Sequence, residues 1–137
     1  MSKKRLGMKV SDIMVSEVIV AKNNETISEV AKRMSQKAIS AILIVDKGKP
    51  VGIATKTDFL ERLLSKGKDP KKTKIQDIMS APLVTLTPDS GILDALKLMR
   101  KTRFSQLPVM SGKKLVGIVA LTDLMLFLST FFSAQKL

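Results

Sequence analysis

Shifting the sequence by 65 residues lays Lys9–Asp58 on Lys74–Asp123 without a gap, and 14 of the 50 positions are then identical. Background residue frequencies predict about three. The identities cluster: Asp12-Ile13-Met14 matches Asp77-Ile78-Met79, Val51-Gly52-Ile53 matches Val116-Gly117-Ile118, and Thr57-Asp58 matches Thr122-Asp123. Two copies of one unit fill the 137 residues. That leaves no room for a long solenoid, and each copy must fold from about 60 residues.

Each copy reads in the same order. A short apolar run (Val18-Ile19-Val20; Leu83-Val84-Thr85) suits a buried strand. A helix follows, with a Thr26/Glu29 capping pattern in the first copy and an opening at Pro88-Asp89-Ser90 in the second. Its inward positions are Ile27, Val30, Ala31 and Met34, then Ile92, Ala95, Leu96 and Met99. Two strands joined by a tight turn come next, Ala41–Val45 with Val51–Thr55 and Gln106–Met110 with Leu115–Ala120. A closing helix starts near Thr57 and near Thr122. The predicted fold is α/β (α+β): repeat 1 over 8–66, a solvated Lys-rich connector over 67–73, and repeat 2 over 74–135. Three strands and two helices leave one sheet face uncovered in each β-α-β-β-α copy. We therefore expect the copies to pack sheet to sheet about a pseudo-twofold axis, leaving clefts lined by helix N-termini with some affinity for phosphate.

Composition removes whole classes of chemistry. Cys, His, Trp and Tyr are absent and only five Phe are present. Disulfides, thiol nucleophiles, imidazole catalysis and Cys/His metal sites are excluded, and an aromatic base-stacking platform is disfavoured. No catalytic constellation and no metal site is predicted. Nothing in the sequence has the shape of a signal peptide or a bilayer-length apolar run, so the expectation is a cytoplasmic protein without a membrane segment. The net charge of +12 admits nucleic acid as a partner, through Lys3-Lys4-Arg5 and the Lys-rich connector, or else a solubilising surface. Leu124, Met125, Leu126, Phe127, Leu128, Phe131 and Phe132 form a helix apolar nearly all round, which predicts a homodimer through the terminal helices or contact with a regulated partner protein.

The segment Gly52-Ile53-Ala54-Thr55-Lys56-Thr57-Asp58 allows two readings. Thr-x-Thr-Asp before an apolar helix is an ordinary N-cap cluster. Alternatively, Thr55 and Thr57, two apart on an extended segment, present both hydroxyls to a phosphate, and Asp58 accepts from two ribose hydroxyls. Gly52 lets the strand approach a ligand or a neighbouring backbone.

This segment, the duplicated Asp-Ile-Met and the Leu107-Pro108-Val109 strand together resemble the CBS domain, and the pairing resembles a Bateman module. The resemblance implies a regulatory role without catalysis. It also implies an adenosyl ligand (AMP, ADP, ATP or S-adenosylmethionine) as ligand rather than cofactor. Carried over by residue, one cleft is closed by Asp58 with Ile53, Thr55 and Thr57, receiving Met79, Leu83, Val84, Phe104 and Ser105 from the other copy. The second is closed by Asp123 and Thr122 with Ile118, Ser105 and Gln106, receiving Met14, Val18, Ile19, Ile39 and Ser40. Ala120 replaces Thr55 in the second copy, which ranks the Asp58 cleft first.

Overall fold

Thr26 and Glu29 make the capping box that their spacing predicts: the Glu29 N–H donates to Thr26 Oγ1 (3.2 Å) and the Thr26 N–H to Glu29 Oε1 (3.0 Å). They open α1 (Ile27–Lys37), which buries Ile27, Val30 and Met34 and ends at Ala38 in the left-handed region. The computed structural model describes residues 8–135, with the backbone alone at 131, 132, 134 and 135. The basic Lys3-Lys4-Arg5 start and the Phe131 and Phe132 side chains lie outside the described residues.

In chain order the elements are β1 (Val20–Lys22), α1, β2 (Ala41–Asp46) and β3 (Lys49–Thr55). Then come α2, helical at Lys56–Asp58 and winding as a π-helix over Phe59–Leu64, and α3 (Ile92–Thr102). β4 (Gln106–Ser111), β5 (Lys114–Ala120) and α4 (Leu121–Gln135) complete the chain. Strands β2 and β3 pair antiparallel from Ala41↔Thr55 to Asp46↔Lys49, and β4 and β5 pair from Gln106↔Ala120 to Ser111↔Lys114. A register shift falls at Ile44/Val45 and at the equivalent Val109/Met110, so the repeat extends to its irregularities. Among the described residues no helix is long and apolar enough to cross a membrane.

Two compact units form, and each takes its leading segment from the other sequence copy: residues 19–83 make one, and residues up to Val18 with those from Val84 make the other. In the first, the Ile75 and Gln76 amides donate to Glu25 O and Asn23 O, and Ser80 exchanges two backbone hydrogen bonds with Ile53 at 2.7 and 3.1 Å. In the second, the Val10 and Ser11 amides donate to Ser90 O and Pro88 O, and Val15 exchanges two with Ile118, both at 2.9 Å. Ile75 and Val10 anchor these segments with no exposed surface.

The glycines of the shared Val-Gly-Ile admit this docking. A Cβ on Gly52 would lie 2.6 Å from Met79 Sδ and 2.9 Å from Ser80 O; one on Gly117 would lie 2.6 Å from Met14 Sδ and 3.1 Å from Val15 O. What approaches Gly52 is therefore the leading segment's own backbone and methionine, a use of glycine for close approach.

Three expectations are corrected. The first strand begins only at Val20 in copy 1, and in copy 2 it shrinks to one parallel bridge, Leu86↔Val109. Two prolines bracket that bridge: Pro88 cannot supply the N–H that its equivalent Asn23 donates to Val45 O, and Pro108, at the place of Leu43 in the Val20↔Leu43 pair, has no N–H either. The second sheet accordingly has two strands. The helix expected at Pro88-Asp89-Ser90 starts at Ile92 with Gly91 as N-cap, after a turn closed by the Thr87 N–H on Ser90 Oγ. The connector is not merely solvated: Thr73 O and Pro70 O accept from the Ile27 and Ser28 amides. With Glu29 N–H on Thr26, the first three amides of α1 are satisfied internally, and this helix N-terminus offers nothing to an anion.

Candidate functional site

Each hairpin runs directly into a helix whose first turn carries a carboxylate. At the first junction the chain passes from extended Thr55 (φ −121°, ψ 167°) into α2 at Lys56, whose N–H donates to Ser40 O. Thr57 is thus in a helical turn and exposed, not beside Thr55 on a strand; the shared hydroxyl face expected for a phosphate does not form. Thr122 lies in α4 and is exposed in the same way.

Asp58 is 6% exposed and closed by the protein. Oδ2 accepts from the Thr55 N–H (2.9 Å) and Thr55 Oγ1 (3.2 Å), and Oδ1 accepts from Ser80 Oγ (3.1 Å). Arg62 Nε lies 3.6 Å from Oδ1, one helical turn on. The same guanidinium donates through Nη1 to Met79 O (2.9 Å) and, more weakly, Ile78 O (3.4 Å). Arg62 and Ser80 were not anticipated. The i,i+4 spacing of Asp58 and Arg62 carried a signal for the former; Ser80, 22 residues from Asp58, carried none.

At the second junction the Leu121 N–H donates to Ser105 O, as Lys56 does to Ser40. The partners of Asp58 have no counterpart there: Ala120 stands for Thr55, Val15 for Ser80 and Phe127 for Arg62. Asp123 is half-buried, and among the described residues it has no hydrogen-bond or ion-pair partner.

The predicted site residues divide between the units. With Asp58 fall Ile53 (buried), Met79 against Gly52, half-buried Leu83, Ile19 and Ile39, and exposed Ser40. With Asp123 fall Ile118, Met14, Val18, Val84, Phe104 and Gln106, all half-buried, and exposed Ser105. A groove of about 440 Å³ opens in the first unit beside Lys56, over Met34, Ile39 and Phe59. Its equivalent in the second, about 340 Å³, opens beside Leu121, over Met99, Phe104 and Ser105. There Arg100 and Arg103 stand where the first groove has Ser35 and Ala38.

Comparison with known proteins agrees with the repeat. The family model described as CBS domain matches residues 10–65 and again 75–130. The CBS domain-containing protein YhcV of Bacillus subtilis is 36% identical over 115 residues, covering 84% of this chain and 81% of the relative. An uncharacterized protein of Methanopyrus kandleri is 33% identical over 121 residues; the match covers 87% of this chain but 62% of that relative's length. Among solved structures, a protein with CBS domains from Burkholderia ambifaria superposes with a TM-score of 0.85 at 25% identity, covering 95% of this chain and 98% of that one. A hexameric CBS-CP12 protein from bloom-forming cyanobacteria superposes at 0.81 with 30% identity, covering 92% and 74%.

Proposed function

The chain belongs to the CBS domain family, with one domain in each repeat, and from that premise we propose that it binds an adenosyl compound and passes its occupancy to a partner protein. CBS domain pairs are in general regulatory and ligand-binding. The observation that carries the reading is the duplicated junction: a strand entering a helix with a carboxylate in its first turn, beside a groove of small-molecule size. A carboxylate only accepts, which suits the two vicinal hydroxyls of a ribose and repels phosphate. Arg100 and Arg103, neither with a side-chain partner among the described residues, offer cations to a phosphate. Ligand that binds one arrangement of the module better than another shifts its population, which is how occupancy reaches a partner.

The test is a calorimetric panel of AMP, ADP, ATP and S-adenosylmethionine on the full chain. At least one should bind, and removing a carboxylate that holds the ribose should weaken it about ten- to a hundredfold. Failure of all four to bind at millimolar concentration overturns the reading.

Self-association belongs to the same proposal. Leu60, Leu64, Met125 and Leu126 are 59% to 68% exposed on the two closing helices, and the cyanobacterial relative is hexameric. Sedimentation equilibrium should find a homo-oligomer rather than a monomer. A second reading, nucleic-acid binding, rests on the exposed Lys66, Lys68, Lys71, Lys72 and Lys74. It requires binding to random duplex that survives about 0.15 M salt.

A further inference from the structure

We propose that one end of the unit formed by residues 19–83 docks on the phosphate backbone of duplex nucleic acid, without reading its sequence. This surface deepens the second reading above, on which it rests, and stands apart from the adenosyl reading.

Hydrogen bonds bring three loops together at this end. The connector's Thr73 and Pro70 carbonyls hold the first amides of α1, and the Ile75 and Gln76 amides donate to Glu25 O and Asn23 O. Asn23 in turn donates its N–H to Val45 O, beside the turn of the first hairpin, and its Nδ2 to Gln76 Oε1 (3.0 Å). Lys22 and Lys47 line one groove of about 400 Å³ there, with Asn23, Asn24 and Asp46.

Charge at this end is one-sided. Residues 65–74 carry five lysines against Asp69, and Lys22, Lys47 and Lys49 join them against Asp46. All eight lysines are exposed, and among the described residues none has an ion-pair partner. Most carboxylates nearby are engaged elsewhere: Glu25 holds Arg33, and Glu29, Asp69 and Asp77 accept from the Thr26, Lys71 and Lys74 amides.

The other copy shows that the fold does not require this. There Lys9 Nζ pairs with Asp89 at 3.1 Å. The equivalent of Lys9 is Lys74 and that of Asp89 is Asn24, so the acid is missing and Lys74 stands without its ion pair. Thr87 occupies the place of Lys22.

Unpaired ammonium groups interleaved with side-chain amides suit a row of phosphates, where each lysine supplies a point charge and releases a counterion. Among the described residues the exposed large apolar side chains are Val15, Leu60, Leu64, Leu93, Met125 and Leu126, none of them on these loops. A lipid surface therefore finds no apolar anchor at this end. No aromatic residue lies on the loops either, so unpaired bases have nothing to stack on, which favours a duplex.

The test is fluorescence anisotropy of a random-sequence DNA duplex with the full chain, from about 0.05 to 0.2 M salt. Binding should persist at about 0.15 M, and log affinity should fall against log salt with a slope of about −4 or steeper. Lys22→Gln with Lys71→Gln and Lys72→Gln should flatten that slope by about three and weaken binding about tenfold or more. Asn24→Asp, which restores the acid of the other copy, should weaken it about twofold. Lys97→Gln with Lys101→Gln and Lys113→Gln removes the same charge from exposed places in the other unit, and should leave affinity within about threefold. Equal losses in the two triple variants would assign binding to net charge, which overturns the docking face and leaves the nucleic-acid reading intact. No binding at about 0.15 M salt overturns both. Tighter binding to vesicles of phosphatidylserine and phosphatidylcholine than to the duplex overturns the choice of partner, and the inference with it.

Discussion

The two compact units share one plan and differ in how it is fastened. In the unit of residues 19–83 the fasteners are polar: the Thr26/Glu29 box, the bidentate Arg33–Glu25 pair (2.9 and 2.5 Å), and the Thr55–Asp58–Ser80–Arg62 cluster. At the equivalent places the other unit has Gly91 with Asp94, Leu98 with Ser90, and Ala120, Asp123, Val15 and Phe127. Both keep the docked leading segment, the hairpin with its bulge and the buried apolar positions. The common features therefore hold the fold, while the polar fasteners differ between the copies, the second having the exposed Lys9–Asp89 pair (3.1 Å) and the Thr87–Ser90 turn instead. Burial supports this ordering, since a filled apolar site contributes several times what a surface ion pair does.

The largest effect should come from a shared anchor. Ile75→Ala empties a site with no exposed surface and should cost about 2–5 kcal/mol, while its equivalent Val10→Ala, one methylene smaller, should cost about 1 kcal/mol less. Urea denaturation of both variants measures the gap. A negligible loss at either position would break the claim that the leading segments anchor both units.

Next come the glycines of close approach. Gly52→Ala forces its Cβ against Ser80 O at 2.9 Å, an atom locked in the Ser80–Ile53 pair, whereas Gly117→Ala meets Val15 O at 3.1 Å. Overpacking of this kind costs about 1–3 kcal/mol. Gly52→Ala should lie at the upper end and Gly117→Ala below it, as read from denaturation midpoints. The reverse order would mean that methionine displacement, which both share, dominates the cost.

Much of this is legible in the sequence alone. The capping box, the hairpins and their turns follow from local residue pairs such as Thr26 with Glu29 and Lys47-Gly48, where both residues take positive φ. The exchange of leading segments was not legible. When two copies present nearly the same hairpin edge, Ile53 or Ile118, sequence does not tell Val15 or Ser80 which edge to join. The docking of Pro70 and Thr73 carbonyls on α1 was hidden for another reason: a carbonyl acceptor belongs to every residue type. The sequence offers Asp58 and Asp123 as candidates and ranks them by Thr55 against Ala120 as ligand contacts. In the structure Thr55 is spent on Asp58 itself.

Acid should sharpen the contrast between the units. The Arg33 hydrogen bond to Glu25 holds that carboxyl below its usual 4.5 and raises the Arg33 guanidinium. A carboxylate with a lowered folded pKa contributes stability above its unfolded value, and that contribution is lost as pH falls through the folded value. Arg33→Leu, which copies Leu98, should therefore cost about 0.5–1 kcal/mol at pH 7. The difference from wild type should shrink as pH falls below about 4.5, leaving at lower pH the part due to the Arg33 hydrogen bond to Val20 O (3.1 Å). A difference independent of pH would assign Arg33 to packing instead.

The smallest effect tests whether the missing cap on α3 was lost or is simply unneeded. Gly91 precedes α3 with φ −76° and ψ 160°, a conformation open to any residue, and no side chain caps this helix. A Cβ there would meet only Asp94 Oδ2 at 3.4 Å, an ordinary contact with a movable side chain. Gly91→Ser thus adds a hydroxyl acceptor for the third amide, with Asp94 placed as Glu29 is in α1 to close the box. Because glycine is itself a tolerable N-cap, the gain should be a few tenths of a kcal/mol. Thr26→Gly in the other unit should lose a similar amount. If Gly91→Ser destabilises, the α3 terminus is constrained by something other than its cap, and the two helix starts are not equivalent in the way the repeat implies.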